Sequence, residues 1–168
     1  MQTEINVLFG TVSGHAEALA RRLEQTLSQA GFLAFARDMA DIAPPEISNF
    51  TRIVIITSTY GHGEPPANAL GLLEFLQEQR PELSNVCFAV CGLGDKAFSA
   101  FAQCGKDFDS ILWSCGATRM IDRVDCDDED AASFETFTTR LVRYLNDMAL
   151  NHEDIYLVAE RPEFGRKH

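Results

Sequence analysis

The chain has 168 residues, 46% of them hydrophobic, enough for one domain with a sizeable core. Its formal net charge of −11 argues against nucleic acid or an anionic membrane as the main partner, since both need a basic face, and suits basic protein partners instead. No run approaches the roughly 18 apolar residues of a membrane span, and Met1-Gln2-Thr3-Glu4 is neither a basic signal-peptide start nor followed by a cleavable apolar stretch, so a cytoplasmic location is expected.

Ile5 to Phe9 is a short apolar run with the length of a buried strand. It feeds through Gly10, Thr11, Val12, Ser13 and Gly14 into a helix whose Ala16, Leu19, Ala20, Leu23 and Leu27 share one face. Gly31 is a helix stop, Phe32 to Arg37 reads as a second strand, and Asp38 to Asn49, with Pro44-Pro45, as a surface connection. Ile53-Val54-Ile55-Ile56 is apolar on both faces, as in the centre of a parallel sheet. A turn-rich stretch, Ser58 to Asn68, precedes a helix over Leu70 to Gln79 with Leu72, Leu73 and Leu76 inward. Val86 to Cys91 is a fourth strand, closed by Gly92-Leu93-Gly94-Asp95. Ala100 to Cys115 is helical, with Cys104, Phe108, Ile111 and Leu112 on one face, and Gly116 ends it. Arg119 to Val124 reads as a fifth strand leading into the acidic loop from Asp125 to Asp130. The last helix carries Phe134, Phe137, Leu141, Tyr144, Leu145 and Met148; beyond it Ile155 to Val158 is strand-like, and Arg161-Pro162 and Gly165-Arg166-Lys167 suggest an unstructured end.

Five strands with intervening helices make a doubly wound parallel sheet of the α/β class. In such sheets ligands sit beyond the carboxyl ends of the strands at a switch point. With strand order 2-1-3-4-5, the ends of strands one, three and four are neighbours, and all three end in specialised loops. The first, Thr11 to Ala16, opens a helix, where free N–H groups and the macrodipole favour an anion; taken alone, the same cluster is an ordinary N-cap. It has no lysine, so it is not a nucleoside-triphosphate loop and would hold a monophosphate. The second puts Tyr60 on a loop with Gly61, Gly63 and Pro65-Pro66, and the third brings Gly92 and Gly94 and then Phe98. Each ring singly is a rim or core aromatic; together with a phosphate cradle they suit a flat conjugated ligand stacked between them.

The five cysteines, at 87, 91, 104, 115 and 126, form no C-x-x-C pair and read as small buried hydrophobes in a reducing compartment. None combines with a histidine at zinc-ligand spacing, so no metal site is expected. The pattern Gly92-x-Gly-x-x-Ala97 also matches a dinucleotide fingerprint, but it follows a late strand and lacks the partner acid.

FGTVSGHAE, STYGHGEPPANA and the segment from GLGDKAF through the acidic loop resemble the flavodoxin family, most closely short-chain flavodoxins and the FMN domains of diflavin reductases such as the sulfite reductase flavoprotein. The resemblance covers about residues 4 to 148 and implies a flavodoxin-like three-layer α/β/α fold with a five-stranded parallel sheet. It makes residues 1–148 an FMN-binding domain and leaves 149–168 as an extension of unknown role. It implies FMN as cofactor. Thr11, Val12, Ser13, Gly14, His15 and Ala16 would wrap the phosphate. Ser58, Thr59, Tyr60, Gly61 and Gly63 would line one face of the isoalloxazine, and Leu93, Gly94, Asp95, Phe98 and Phe101, after Gly92, the other face and the ribityl chain. Asp127 would approach from the acidic loop. Three positions depart from the family: His15 stands where Thr is frequent, Phe98 where Tyr is usual, and His62 near the reactive flavin edge where an acid or amide is frequent, so His62 is expected to bear on the redox potential.

The implied function is that of an electron carrier without catalytic residues of its own. A basic NAD(P)H-dependent flavin reductase and redox acceptor proteins would be its partners, and the chain would act as a monomer. A small quinone or nitro reductase taking hydride at FMN, and a detached FMN domain of a diflavin system, are the alternatives. A phospho-receiver is disfavoured, because Gly10-Thr11 and Thr57-Ser58 stand where acids would be needed.

Overall fold

The computed structural model describes residues 3–128 and 130–159, with side chains described as far as residue 151. Strand β1 (Ile5–Gly10) is buried along its whole length, because it lies inside the sheet between β2 (Ala34–Asp38) and β3 (Arg52–Thr57). Strand β4 (Cys87–Gly94) pairs with β3, and every pairing is parallel. The order is 2-1-3-4-5, as expected for a doubly wound sheet.

The fifth position is filled by two short strands. β5 (Thr118–Arg119) pairs with Cys87 and Phe88 at the start of β4, and β6 (Val124–Asp127) pairs with Cys91 to Gly94 at its end. The single strand expected over Arg119 to Val124 is broken because two arginines are drawn to one acid. Arg119 donates Nε and Nη2 to the two carboxylate oxygens of Asp109, at 2.9 Å each, and Arg123 Nη1 donates to Asp109 Oδ2 at 3.1 Å. In an extended strand residues four apart are separated by about 13 Å. Gathering both guanidiniums on one carboxylate shortens that path and takes residues 121–123 out of the ladder.

Helices α1 (His15–Gln29) and α4 (Ala131–Ala159) cover one face of the sheet, α2 (Ala67–Gln79) and α3 (Gln103–Ser114) the other. Ala16, Ala20, Leu23 and Leu27 of α1 meet Phe134, Phe137, Leu141 and Leu145 of α4 over Val7, Phe9, Val54 and Ile56. On the opposite side Leu72, Leu73 and Leu76 join Phe108, Ile111 and Leu112 over Leu8, Ile53, Ile55 and Phe88. Each such leucine, isoleucine, valine or phenylalanine contributes about 1.5–3 kcal/mol when fully buried.

Other parts of the chain also differ from the sequence reading: β2 starts at Ala34 instead of Phe32, and α2 at Ala67 instead of Leu70. β4 continues through Gly92, Leu93 and Gly94 instead of closing at Cys91, because Leu93 keeps the alternation going and is buried on the α1–α4 face. Gly92 meanwhile lets α3 come close: a Cβ built on Gly105 would lie 2.7 Å from Gly92 Cα. α3 begins at Gln103 and not Ala100, since Ala102 has a left-handed backbone (φ 54°) that breaks the helical path. The connection after β2 is less superficial than its prolines suggest; its two short 3-10 turns, Met39–Asp41 and Pro44–Asn49, bury Met39 and Ile47. Residues 155–158 are helical in backbone, part of α4; extending a long helix adds one hydrogen bond per residue, which overrides the strand preference of four residues. The end suggested for 161–168 lies outside the described residues.

Candidate functional site

Gly10, Thr57 and Gly92 stand abreast in β1, β3 and β4, with Asp125 of β6 completing the row. The three specialised loops leave from this row or two residues above it, so they open on one side of the molecule. Ser58 N donates to Gly10 O at 2.9 Å and ties the first two together at the root.

The first loop is held from inside. Thr11 N donates to Asn68 Oδ1 at 3.0 Å, Asn68 Nδ2 donates to Asp38 Oδ1 at 3.2 Å, and Gly14 N donates to Thr11 Oγ1 at 2.9 Å. Gly14 takes φ 90°, a left-handed conformation that suits glycine and turns the chain into α1. The backbone N–H groups of Val12, Ser13, His15 and Ala16 find no acceptor among the described residues. Several donors at a helix start, with the dipole behind them, form an anion cradle.

The second loop makes a tight turn. Tyr60 N donates to Glu64 O at 2.8 Å and Glu64 N to Tyr60 O at 3.0 Å, with Gly61 at φ 46° and Gly63 at φ 110°. Glu64 Oε2 accepts the His62 N–H at 3.1 Å and braces the tip. Thr59 Oγ1 accepts the Cys104 N–H at 3.1 Å, hooking the loop to the start of α3. In the third loop Asp95 Oδ1 accepts the Ala97 N–H at 2.8 Å, and Asp127 Oδ2 accepts the Lys96 N–H at 2.9 Å.

Two adjoining cavities join these loops. One of about 360 Å³ is lined by Val12, Ser13, His15, Ser58, Thr59, Tyr60, Gly94 and Asp128. The other, about 270 Å³, is lined by Thr59, Gly61, Gly94, Asp95, Phe98, Phe101 and Asp128, among others. Sharing Thr59, Gly94 and Asp128, they form one crevice from the helix start to the aromatics. Tyr60 and Phe98 keep 58% and 56% of their surface exposed, a costly way to place two rings unless something covers them.

Eleven of the expected site residues therefore line the crevice: Val12, Ser13, His15, Ser58, Thr59, Tyr60, Gly61, Gly94, Asp95, Phe98 and Phe101. Thr11 and Gly14 shape the cradle from beneath, and the Ala16 side chain is buried in the core. His62 and Gly63 belong to the turn tip, outside both cavities. Gly92 lies inside the sheet against α3. Leu93 and Asp127 face a third cavity of about 150 Å³, between α1 and α4, which His15 also borders. Asp128 is not singled out by the sequence, yet it lines both halves of the crevice, held there by its N–H donating to Gly94 O at 2.9 Å. Asn68 is likewise missed, because no periodicity announces an amide that braces another loop.

A family model described as flavodoxin matches residues 7–138. The sulfite reductase [NADPH] flavoprotein alpha-component of Bacillus subtilis is 42% identical over 135 residues, 78% of this chain and 22% of its own length. The same component from Vibrio vulnificus is 42% identical over 132 residues, 77% of this chain and 21% of its own length. The chain thus spans about a fifth of the length of these curated relatives. Among solved structures, a flavodoxin from Pseudomonas aeruginosa, in a form with one cysteine replaced by serine, superposes with a TM-score of 0.75 at 25% identity, covering 86% of this chain and 99% of that one. A Streptococcus pneumoniae flavodoxin gives 0.74 at 22% identity, covering 84% and 99%. With the sheet order, the crevice and a family match across most of its length in agreement, the chain belongs to the flavodoxin family, whose cofactor is FMN.

Proposed function

We propose that this domain carries electrons singly, through FMN, between a basic NAD(P)H-dependent flavin reductase and acceptor proteins. The observation that carries the reading is the shared crevice: unpaired amides at one end, two exposed rings at the other, joined by loops that leave neighbouring strand ends. Its combined size falls in the range of small-ligand clefts.

The amides of Val12, Ser13, His15 and Ala16, with the Thr11 and Ser13 hydroxyls, would hold the phosphate, and Tyr60 and Phe98 would flank the ring. When bound, FMN supplies the redox chemistry, exchanging electrons one or two at a time. The protein's part is to set its energy and its access. Glu64, Asp95, Asp127 and Asp128 disfavour added negative charge on the ring and so favour low-potential electron delivery. The Tyr60–Glu64 turn would present backbone to the ring, and its two left-handed glycines let a peptide unit reorient at small steric cost. No side chain is asked to act as nucleophile, acid or base. Residues 1–148 form the FMN-binding unit in this reading; among the residues with described side chains, the last in the buried core is Leu145. A cytoplasmic monomer is part of this reading; the five free thiols fit a reducing compartment.

A second reading, an FMN domain of a diflavin system, is favoured by the 42% identity to relatives of which this chain matches only a fifth. The two readings share their chemistry and differ in the donor. Steady-state NAD(P)H oxidation tests both against a self-sufficient reductase. The FMN-loaded chain should consume NAD(P)H only when a flavin reductase is added. Turnover by the chain alone would establish a quinone- or nitro-reductase type of enzyme instead.

A further inference from the structure

The geometry points to a second redox element beside the crevice: Cys91 and Cys126 form a reversible dithiol–disulfide pair that hydroperoxides oxidise and that locks the strand ends carrying the third loop. Cys91 lies in β4 and Cys126 in β6, both buried. The register pairs Cys91 with Val124 and Leu93 with Cys126, which puts the two thiols diagonally on one face, their sulfurs 3.4 Å apart. A disulfide needs about 2.05 Å, so the sulfurs must approach by little more than an ångström, within the reach of side-chain rotation. Cys104, by contrast, faces the Thr57 hydroxyl, not a thiol.

The two sulfurs are not equivalent. Cys126 borders the 150 Å³ cavity, along with His15, Leu19, Asp127, Asp128 and Phe134, and Cys91 does not. The cavity has room for a small peroxide beside Cys126, of whose own surface 1% is exposed. The contact between them acts in the same sense: it lowers the Cys126 thiol from its usual range against the opposing effects of burial and of Asp130 and Asp125, while it and burial push Cys91 well up. Cys126 is the attacking thiol and Cys91 the resolving one.

In the first step the Cys126 sulfur attacks one oxygen of the hydroperoxide. An S–O bond forms, the O–O bond breaks, and the leaving alkoxide or hydroxide takes a proton; sulfur loses two electrons and the peroxide gains them. The Cys91 sulfur then attacks the sulfenic sulfur, an S–S bond replaces the S–O bond, and hydroxide leaves with the Cys91 proton as water. Two thiols and one hydroperoxide thus give a disulfide, an alcohol or water, and a water. An external dithiol reverses it by exchange. The closure is felt above the pair. Asp127 and Asp128, the two residues after Cys126, hold the third loop and the end of β4 through the Lys96 N–H and Gly94 carbonyl bonds.

The test uses the full chain without FMN, so it stands apart from the electron-carrier reading. Reduced protein is treated with a small excess of hydrogen peroxide, blocked with an alkylating agent and mapped by peptide mass spectrometry. A Cys91–Cys126 linked peptide lacking two hydrogens is expected, with Cys87, Cys104 and Cys115 still alkylated and dithiothreitol restoring all thiols. Cys91→Ser should leave Cys126 as a sulfenic acid trapped by dimedone, and Cys126→Ser should leave Cys91 unlabelled at the same dose. Absence of the linked peptide, or equal labelling of the remaining cysteine in the two variants, overturns the pair. The wild-type map decides the first point even where a serine variant folds poorly. Hydrogen exchange at the Lys96 and Asp128 amides should slow severalfold in the disulfide form; unchanged exchange overturns the lock.

Discussion

Tyr60 and Phe98 forgo most of the stabilisation that burial would give their rings. A bound flavin would return it. Replacing either by Ala should therefore leave the fold intact and raise the FMN dissociation constant about tenfold, the equivalent of about 1.4 kcal/mol of lost stacking and coverage, as read by flavin fluorescence titration. Asp130 offers a test of the opposite kind, on stability with no effect on the cofactor. It caps α4, its Oδ1 accepting the Ala132 and Ser133 N–H groups at 3.1 and 3.3 Å. The bonds from Ser133 hold its carboxyl below the usual carboxylate range. A depressed acid contributes stability above its unfolded-state pKa and loses it as pH falls through the folded one. Asp130→Ala should thus lower the melting temperature at neutral pH, and the gap to wild type should close on acidification. At this scale the sequence is informative where chemistry repeats a local pattern, as in Thr11 to His15, and silent where a residue acts through a distant partner. Asp128 belongs to the second kind: nothing in an acidic run says which carboxylate a backbone bond to Gly94 will hold over the crevice.

Among the elements, periodicity locates every helix and strand whose apolar face meets the core. It fails at ends decided by backbone contact or by charge. The extension of β4 depends on a glycine-to-glycine approach at Gly92 and Gly105, and the split of the fifth strand on Asp109. The alternation that Leu93 continues is hidden between two glycines with no side chain to show it, and the shared carboxylate leaves no trace in the alternation at all. Asp109 is only 5% exposed and receives two guanidiniums, one of which, Arg119, also lies over the Trp113 ring at 4.6 Å. Asp109→Asn should cost about 1–3 kcal/mol in chemical denaturation, because two cations lose their shared anion. An Arg119→Met, Asp109→Leu double variant should recover part of that loss, since it removes charge from both sides.

For the molecule as a whole, a crevice at three neighbouring strand ends follows once the strand order is 2-1-3-4-5, and that is the order the sheet has. What the whole molecule adds is a field. With a net charge of −11 and carboxylates around the crevice, electron transfer from a basic reductase should slow as ionic strength rises, by stopped-flow measurement. The cradle at the start of α1 obeys the other sign. FMN is itself an anion approaching an acidic protein, so long-range repulsion opposes its arrival, while the free amides of Val12, Ser13, His15 and Ala16 act only at contact. Salt screens the first within about 8 Å at physiological strength and reaches the second far less. Adding salt should therefore hasten FMN association with the empty protein even as it weakens docking of the partner. The loop is a short-range trap set inside a long-range barrier: it admits phosphate slowly, and holds it by groups that salt scarcely touches.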